Sequence, residues 1–319
     1  MRRILSIDGG GIKGAFPAAF LAEVEGQVGA PIGHHFDLIV GTSTGGIIAL
    51  DLGLGMTAAE VLGFYENAGP RIFAGGRRRL GLRWLAKTKH DPAALREALE
   101  DALGNKTLAM SMSRLVIPSV NAETGDIYVY KTPHHPRIRF DGDRLAIDVA
   151  LATAAAPTYL PAHWPVTGPL LIDGGVWANN PVAVAVTEAV GVLDWARDDI
   201  QVLSIGCTSS PLEPGVARRR GLTGLVGWAP DIATTMMKAQ SEGALGMAMN
   251  LVGTKSVFRY NPEVAPGRYS LDDARSLRSL VGLGHQTARH ALGEIQHLFA
   301  QPAEPFVASA RSGANENLL

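Results

Sequence analysis

Two short apolar runs near the N-terminus each end in a glycine-rich loop, and each loop opens a stretch of helical character. Arg3 to Ile7 runs into Asp8-Gly9-Gly10-Gly11, after which Ile12, Phe16, Ala19, Phe20 and Val24 recur at helix period. Phe36 to Val40 runs into Gly41-Thr42-Ser43-Thr44-Gly45-Gly46, and Ile47 to Leu54 continues as helix. Uniformly apolar strands followed by helices require a sheet covered on both faces. The two units therefore predict an α/β chain with a mainly parallel, helix-flanked sheet.

The rest of the chain extends that pattern. Thr57 and Glu60 have capping-box spacing, and Asp91-Pro92 reads as N-cap and first turn of a helix through Leu103. Leu115 to Val120 and Ile127 to Tyr130 form a strand pair around Glu123-Thr124-Gly125-Asp126. Ile147 to Ala156 is a helix stopped by Pro157, and Leu170 to Ile172 is a short strand ending at Asp173-Gly174-Gly175. Asn180-Pro181 caps a helix to about Leu193, and Ile200 to Gly206 is another strand. Leu222 to Leu251 is helical, Ser256 to Tyr260 a last strand, and two helices follow at Asp272 to Leu280 and Gln286 to Phe299. We expect one domain over 1–300, with a motif-bearing core at about 4–206, a helical C-terminal part at about 207–300, and a frayed tail at 301–319.

Composition bounds the function classes. The 319 residues are 46% hydrophobic, enough for a large core, and 37 glycines suit many tight turns. A net charge of −1 gives no overall reason to bind DNA or RNA, so an anionic partner needs a local patch. The single cysteine, Cys207, fits a reducing compartment and reads as a buried filler. The apolar run after Met1-Arg2-Arg3 is too short for a secretory signal, and no stretch is long enough to span a bilayer. We expect a cytoplasmic protein acting at the inner face of the membrane.

Three motifs carry chemistry. Gly41-Thr42-Ser43-Thr44-Gly45 is a G-x-S-x-G elbow, which holds a serine hydroxyl proud of a strand-to-helix turn at a helix N-terminus. Gly9-Gly10-Gly11-Ile12-Lys13-Gly14 satisfies G-x-G-x-x-G. A dinucleotide site would want an acidic residue closing the second strand, whereas here that strand runs into the serine elbow. The same loop offers backbone N–H groups as an anion cup, which suits an oxyanion. Asp173-Gly174-Gly175, followed by Asn179-Asn180-Pro181, places an acid at the end of a short strand.

Together and in this order, the three motifs resemble the patatin-like phospholipases. Ala154-Ala155-Ala156-Pro157-Thr158-Tyr159-Leu160-Pro161 resembles that family's small-residue helix and proline turn, and the likeness covers roughly Ile4 to Gly206. The resemblance implies a three-layer patatin-like fold and a Ser–Asp dyad. Ser43 would be nucleophile, Asp173 base, and Gly9, Gly10 and Gly11 the oxyanion hole, with Gly14, Gly41, Gly45, Gly174 and Gly175 as supporting glycines. It implies an acyl-enzyme on Ser43, hydrolysed by water that Asp173 activates, with no metal or cofactor. His285, His290 and His297 would give a triad order but do not share one helix face, and His163 reads as a loop residue.

Two segments suit a lipid surface: Arg77 to Lys87, which mixes cations with Trp84, and the stretch after Arg218-Arg219-Arg220 with Trp228, Met236, Met237, Met247 and Met249. The chain also resembles bacterial phospholipase effectors of cyclic-oligonucleotide anti-phage signalling. That likeness implies activation by a cyclic dinucleotide and homodimerisation, with Arg77, Arg78, Arg79, Arg218, Arg219 and Arg220 as phosphate or headgroup contacts. Two other readings remain at this point: a nucleotide-binding module built on the first glycine loop, and an inactive scaffold.

Overall fold

The computed structural model describes residues 1–73, 88–138, 140–212, 221 and 232–308. Among the described residues, seven strands form one mixed sheet: β1 (Arg2–Ile7), β2 (Leu38–Gly41), β3 (Arg114–Asn121), β4 (Ile127–Lys131), β5 (Leu171–Asp173), β6 (Ile200–Ile205) and β7 (Val257–Tyr260). Their order is β4-β3-β2-β1-β6-β7, parallel from β3 to β7, with β4 and β5 each antiparallel to β3.

Side chains alternate across this sheet and both faces are covered, which is why its strands read as continuous apolar runs. Leu5, Ile7, Ile39, Leu115, Ile117, Leu203 and Ile205 belong to one core, under α1 (Ala15–Val28), α2 (Thr44–Gly53), α3 (Ala58–Ile72), α4 (Pro92–Leu103) and α5 (Ala146–Thr153). Ile4, Leu38, Val40, Val116 and Val202 belong to a second core on the other face. The four-residue α6 (Gly175–Ala178) leads to the cover of that face, α7 (Val182–Gly191) and α8 (Ile232–Val252). These are the three layers the resemblance implies.

Local signals place the helix starts. The Thr57 hydroxyl accepts from Glu60 N–H and the Glu60 carboxylate accepts from Thr57 N–H, a complete capping box. Asp91 accepts from Ala93 N–H ahead of Pro92.

The C-terminal part departs from expectation. One helix, α9 (Leu277–Ile295), stands where two are expected, preceded by a short turn at Ala274–Ser276. Gly284 within it marks a close crossing rather than a break: a Cβ there would strike the Phe16 carbonyl and Ala19 of α1. The segment 301–308, expected to fray, is tied down. Ala303 N–H donates to His34 O (2.7 Å), and Glu304 pairs with Arg2 (2.7 Å). Among the described residues, no helix is long and apolar enough to cross a membrane.

Candidate active site

The sheet sets the site by a gap in one edge. β2 pairs with β3 only along Arg114–Val116 and ends at Gly41, while β3 continues to Asn121. β5 occupies the vacated edge, with Asp173 opposite Ser119. Because β2 runs parallel to β3 and β5 antiparallel, the C-terminal tips of β2 and β5 meet head-on. Those tips bring Ser43, just past the end of β2, to Asp173, the last residue of β5.

The elbow is tight. Ser43 has φ +56° and ψ −123°, a region L-residues rarely occupy, and sits at the N-cap of α2. A Cβ on Gly41 would strike the Gly45 carbonyl, and one on Gly45 the Ile7 carbonyl, so only glycine fits either place. Ser43 N–H donates to Thr153 Oγ1 (3.0 Å), and the Thr153 hydroxyl donates to Pro118 O (2.6 Å). That chain of bonds orients the serine from beneath.

The two side chains stand together at the wall of one cavity, and the Ser43 hydroxyl is near enough to the Asp173 carboxylate to favour its ionised form. Asp173 also accepts from Gly175 N–H (2.6 Å) and is 5% exposed. Burial pushes its carboxyl up to about 6, against the opposing pull of the Ser43 hydroxyl and the Gly175 N–H. A buried carboxylate poised this close to neutral pH beside a serine hydroxyl is suited to act as a general base.

The glycine loop is less uniform than expected. Gly9 N–H donates to Asn179 O (2.9 Å), so it is not free to meet an oxyanion, a correction to its expected role. Ile12 N–H donates to Leu271 O (2.9 Å). Between them, Gly10 and Gly11 N–H have no acceptor among the described residues, and both glycines line the same cavity as Ser43. Gly11 has φ +58° and lies against the Leu271 carbonyl, which excludes any side chain there. Thr44 N–H, at the first turn of α2, is likewise without an acceptor among the described residues. Elbow chemistry uses that amide as an oxyanion donor, so Thr44 joins Gly10 and Gly11 as a candidate.

The cavity has a volume of about 530 Å³, within the usual range for small-molecule sites. Ser43 and Asp173 line it beside an apolar wall that includes Ile47, Phe64, Ile72, Phe73, Leu95 and Leu160. Met236 and Met237 also line it, and Met236 is 65% exposed, with Val176 57% exposed beside it on the lining.

Other expected residues fall elsewhere. His163 bonds Asp148 (2.9 Å) and His285 pairs with Glu23 on α1 (2.9 Å), and neither lines the cavity that holds Ser43 and Asp173. Cys207 is buried under Gly10, and burial pushes its thiol up to about 12, so it is a structural residue. The arginine clusters 77–79 and 218–220, with Trp84 and Trp228, lie outside the described residues.

Sequence reasoning missed His90 and Arg259. His90 lines the cavity, bonds Asp272 (3.0 Å), and packs between Phe73 and Tyr159. Arg259 holds Asp8 from β7. No local motif marks either one, since both depend on partners far along the chain.

The sequence pattern of the family described as patatin-like phospholipase matches residues 5–186. A Pseudomonas aeruginosa protein named cGAMP-activated phospholipase is 34% identical, over 91% of this chain and 89% of that one. A Vibrio cholerae protein of the same name is 33% identical, over 95% and 96%. Patatin-like protein 2 of Arabidopsis thaliana is 30% identical over 76% of this chain and 69% of its own. Among solved structures, VipD from Legionella pneumophila superposes with a TM-score of 0.50 at 12% identity, covering 92% of this chain and 67% of that one, which bears on the fold alone. By sequence pattern, relatives and fold, the chain belongs to the patatin-like phospholipase family of lipid acyl hydrolases.

Proposed function

We propose that this chain cleaves acyl esters of membrane phospholipids through a Ser43–Asp173 dyad and is switched on by a cyclic dinucleotide. One observation carries the chemistry: a strained serine and a buried carboxylate side by side at the wall of a largely apolar cavity. Ser43 Oγ attacks the ester carbonyl and its proton passes to the Asp173 carboxylate. The carbonyl oxygen, now anionic, accepts from the Gly10, Gly11 and Thr44 amides. Collapse of this intermediate breaks the bond to the lysophospholipid oxygen, which takes the proton from Asp173. Water then attacks the acyl-Ser43 ester, giving its proton to Asp173. Release of the fatty acid returns that proton to Ser43 Oγ. An acyl chain fits the apolar wall, and the exposed Val176 and Met236 at the lining suit contact with the bilayer from which it is drawn.

Support for the switch comes from the relatives named cGAMP-activated phospholipase, which match nearly the whole of both chains. Activation would turn the enzyme on the inner face of the cell's own membrane, as anti-phage defence requires. Homodimerisation belongs to the same reading, with the arginines at 77–79 and 218–220 as phosphate contacts. No cofactor is needed by this chemistry.

A fluorophosphonate probe tests the dyad. Labelling that requires Ser43, and that rises with cGAMP or a related cyclic dinucleotide, is the expected result. Labelling of Ser43→Ala at the wild-type rate overturns the assignment. Full hydrolysis of phospholipid vesicles without any cyclic dinucleotide overturns the switch. A nucleotide-binding module would instead bind nucleotide tightly and be indifferent to Ser43→Ala, and an inactive scaffold would not label under any condition.

A further inference from the structure

We propose that Arg259 is a positioning residue for the oxyanion loop, an assignment that rests on the acyl hydrolase reading above. Asp8 is the last residue before Gly9-Gly10-Gly11, and its carboxylate is gripped at both oxygens. Arg259 Nη1 donates to Oδ1 (2.8 Å) and Nη2 to Oδ2 (2.6 Å). Nη1 also donates to Ser204 Oγ (2.9 Å). Ser6, Ser204 and Arg259 stand in register across β1, β6 and β7. The small side chain at Ser204 leaves room for the guanidinium to reach back over β6 to the loop. Both partners are nearly buried, with side chains 12% and 5% exposed.

The loop that follows is tethered on both sides of the two free amides. Asp8 N–H donates to Ile205 O (3.0 Å), Gly9 N–H to Asn179 O, and Ile12 N–H to Leu271 O. Among the described residues, that leaves Gly10 and Gly11 N–H without an acceptor, on residues that line the cavity. Asp8 and its fork fix the near end of this short span. A guanidinium fork sets the plane of a carboxylate, whereas an ammonium supplies charge without orientation. Displacing an oxyanion donor by about 1 Å costs on the order of 10²-fold in rate. The family pattern stops at residue 186, so it does not include Arg259, which β7 supplies from the C-terminal part.

The bland alternative is an ion pair that only holds the core together. Four variants separate the two: Arg259→Met, Arg259→Lys, Asp8→Asn, and Asp8→Asn with Arg259→Met. Each is measured for urea unfolding, for kcat and KM on a soluble short-chain ester, and for hydrogen exchange in the peptide 8–14. In the double variant no buried carboxylate is left unpaired, so its unfolding midpoint returns toward wild type. Positioning predicts that its kcat stays about 10²-fold down with KM within about 3-fold. It also predicts that exchange in 8–14 stays faster than in wild type, and that Arg259→Lys regains stability without regaining kcat. Recovery of kcat in step with the unfolding midpoint overturns the proposal, as does a loss carried by KM. Should Arg259→Met fail to fold, Arg259→Lys and the double variant decide the question in the same way. A wild-type chain silent on every ester would instead fail the hydrolase reading. Exchange in 8–14 then decides the positioning role by itself: faster in the double variant supports it, unchanged overturns it.

Discussion

Replacing Asp173 by asparagine should make the protein more stable and catalytically dead. The carboxyl titrates near 6 when folded, against an ordinary value of 3.8, and burial is the main cause. A raised folded pKa means the folded state binds the proton more tightly than the unfolded one. Asp173 is therefore cost-free below about pH 4; its cost builds between about pH 4 and 6 and levels off above 6. A rise from 3.8 to about 6 corresponds to about 3 kcal/mol above pH 7. The asparagine carries no charge to bury, and its amide oxygen can still accept from Gly175 N–H. The variant should gain about 2–3 kcal/mol at pH 7.5 and little at pH 4. Urea unfolding at both pH values reads this, and the fluorophosphonate rate reads the loss of the base. Wild-type kcat/KM should rise through an acid limb near pH 6, since the base must be ionised. An equal stability change at the two pH values, or a variant that keeps full hydrolase activity, refutes the assignment and sends the search to a histidine.

Further outcomes follow from single contacts. Thr153→Val leaves the buried Ser43 N–H without its acceptor; we expect a loss of about 1–3 kcal/mol in urea unfolding and a fall in kcat, and wild-type values of both would contradict the role given to that bond. Asp51, on α2, is fully buried with neither carboxylate oxygen bonded among the described residues, and burial pushes it up to about 8. Its cost likewise grows with pH, so the gain from Asp51→Leu should be larger at pH 8 than at pH 5 by roughly 4 kcal/mol, and a pH-independent change would sink the reasoning. Thr57→Ala removes a complete capping box from α3 and should cost about 1 kcal/mol in urea unfolding.

What could be read from the sequence depended on how local the determinant was. Ser43 needs only a strand, flanking glycines and a helix, all close together in the chain, and the structure places it at an elbow with positive φ. Asp173 has no comparable local signature. It reaches Ser43 because β5 fills the edge of β3 beyond β2, a pairing that no short stretch of sequence encodes, so its role rests on resemblance to a family. The fate of each glycine amide was also hidden. Gly9 donates its N–H to Asn179, whereas Thr44 N–H has no acceptor among the described residues, and both facts depend on how distant turns dock. Gly282 and Gly284 fall between the two helices expected near the C-terminus, but the close approach of α1 and α9 requires a small residue within a continuous helix. His90 and Arg259 were illegible for the same reason: their partners, Asp272 and Asp8, lie far along the chain.

The most direct test of the central claim is product analysis on phospholipid vesicles, comparing wild type with Ser43→Ala in the presence and absence of cGAMP. We predict release of free fatty acid and lysophospholipid by the wild type with cGAMP, and by neither protein without it, with Ser43→Ala silent throughout. Equal release by Ser43→Ala, or products that retain both acyl chains, would contradict a serine acyl hydrolase acting through Ser43.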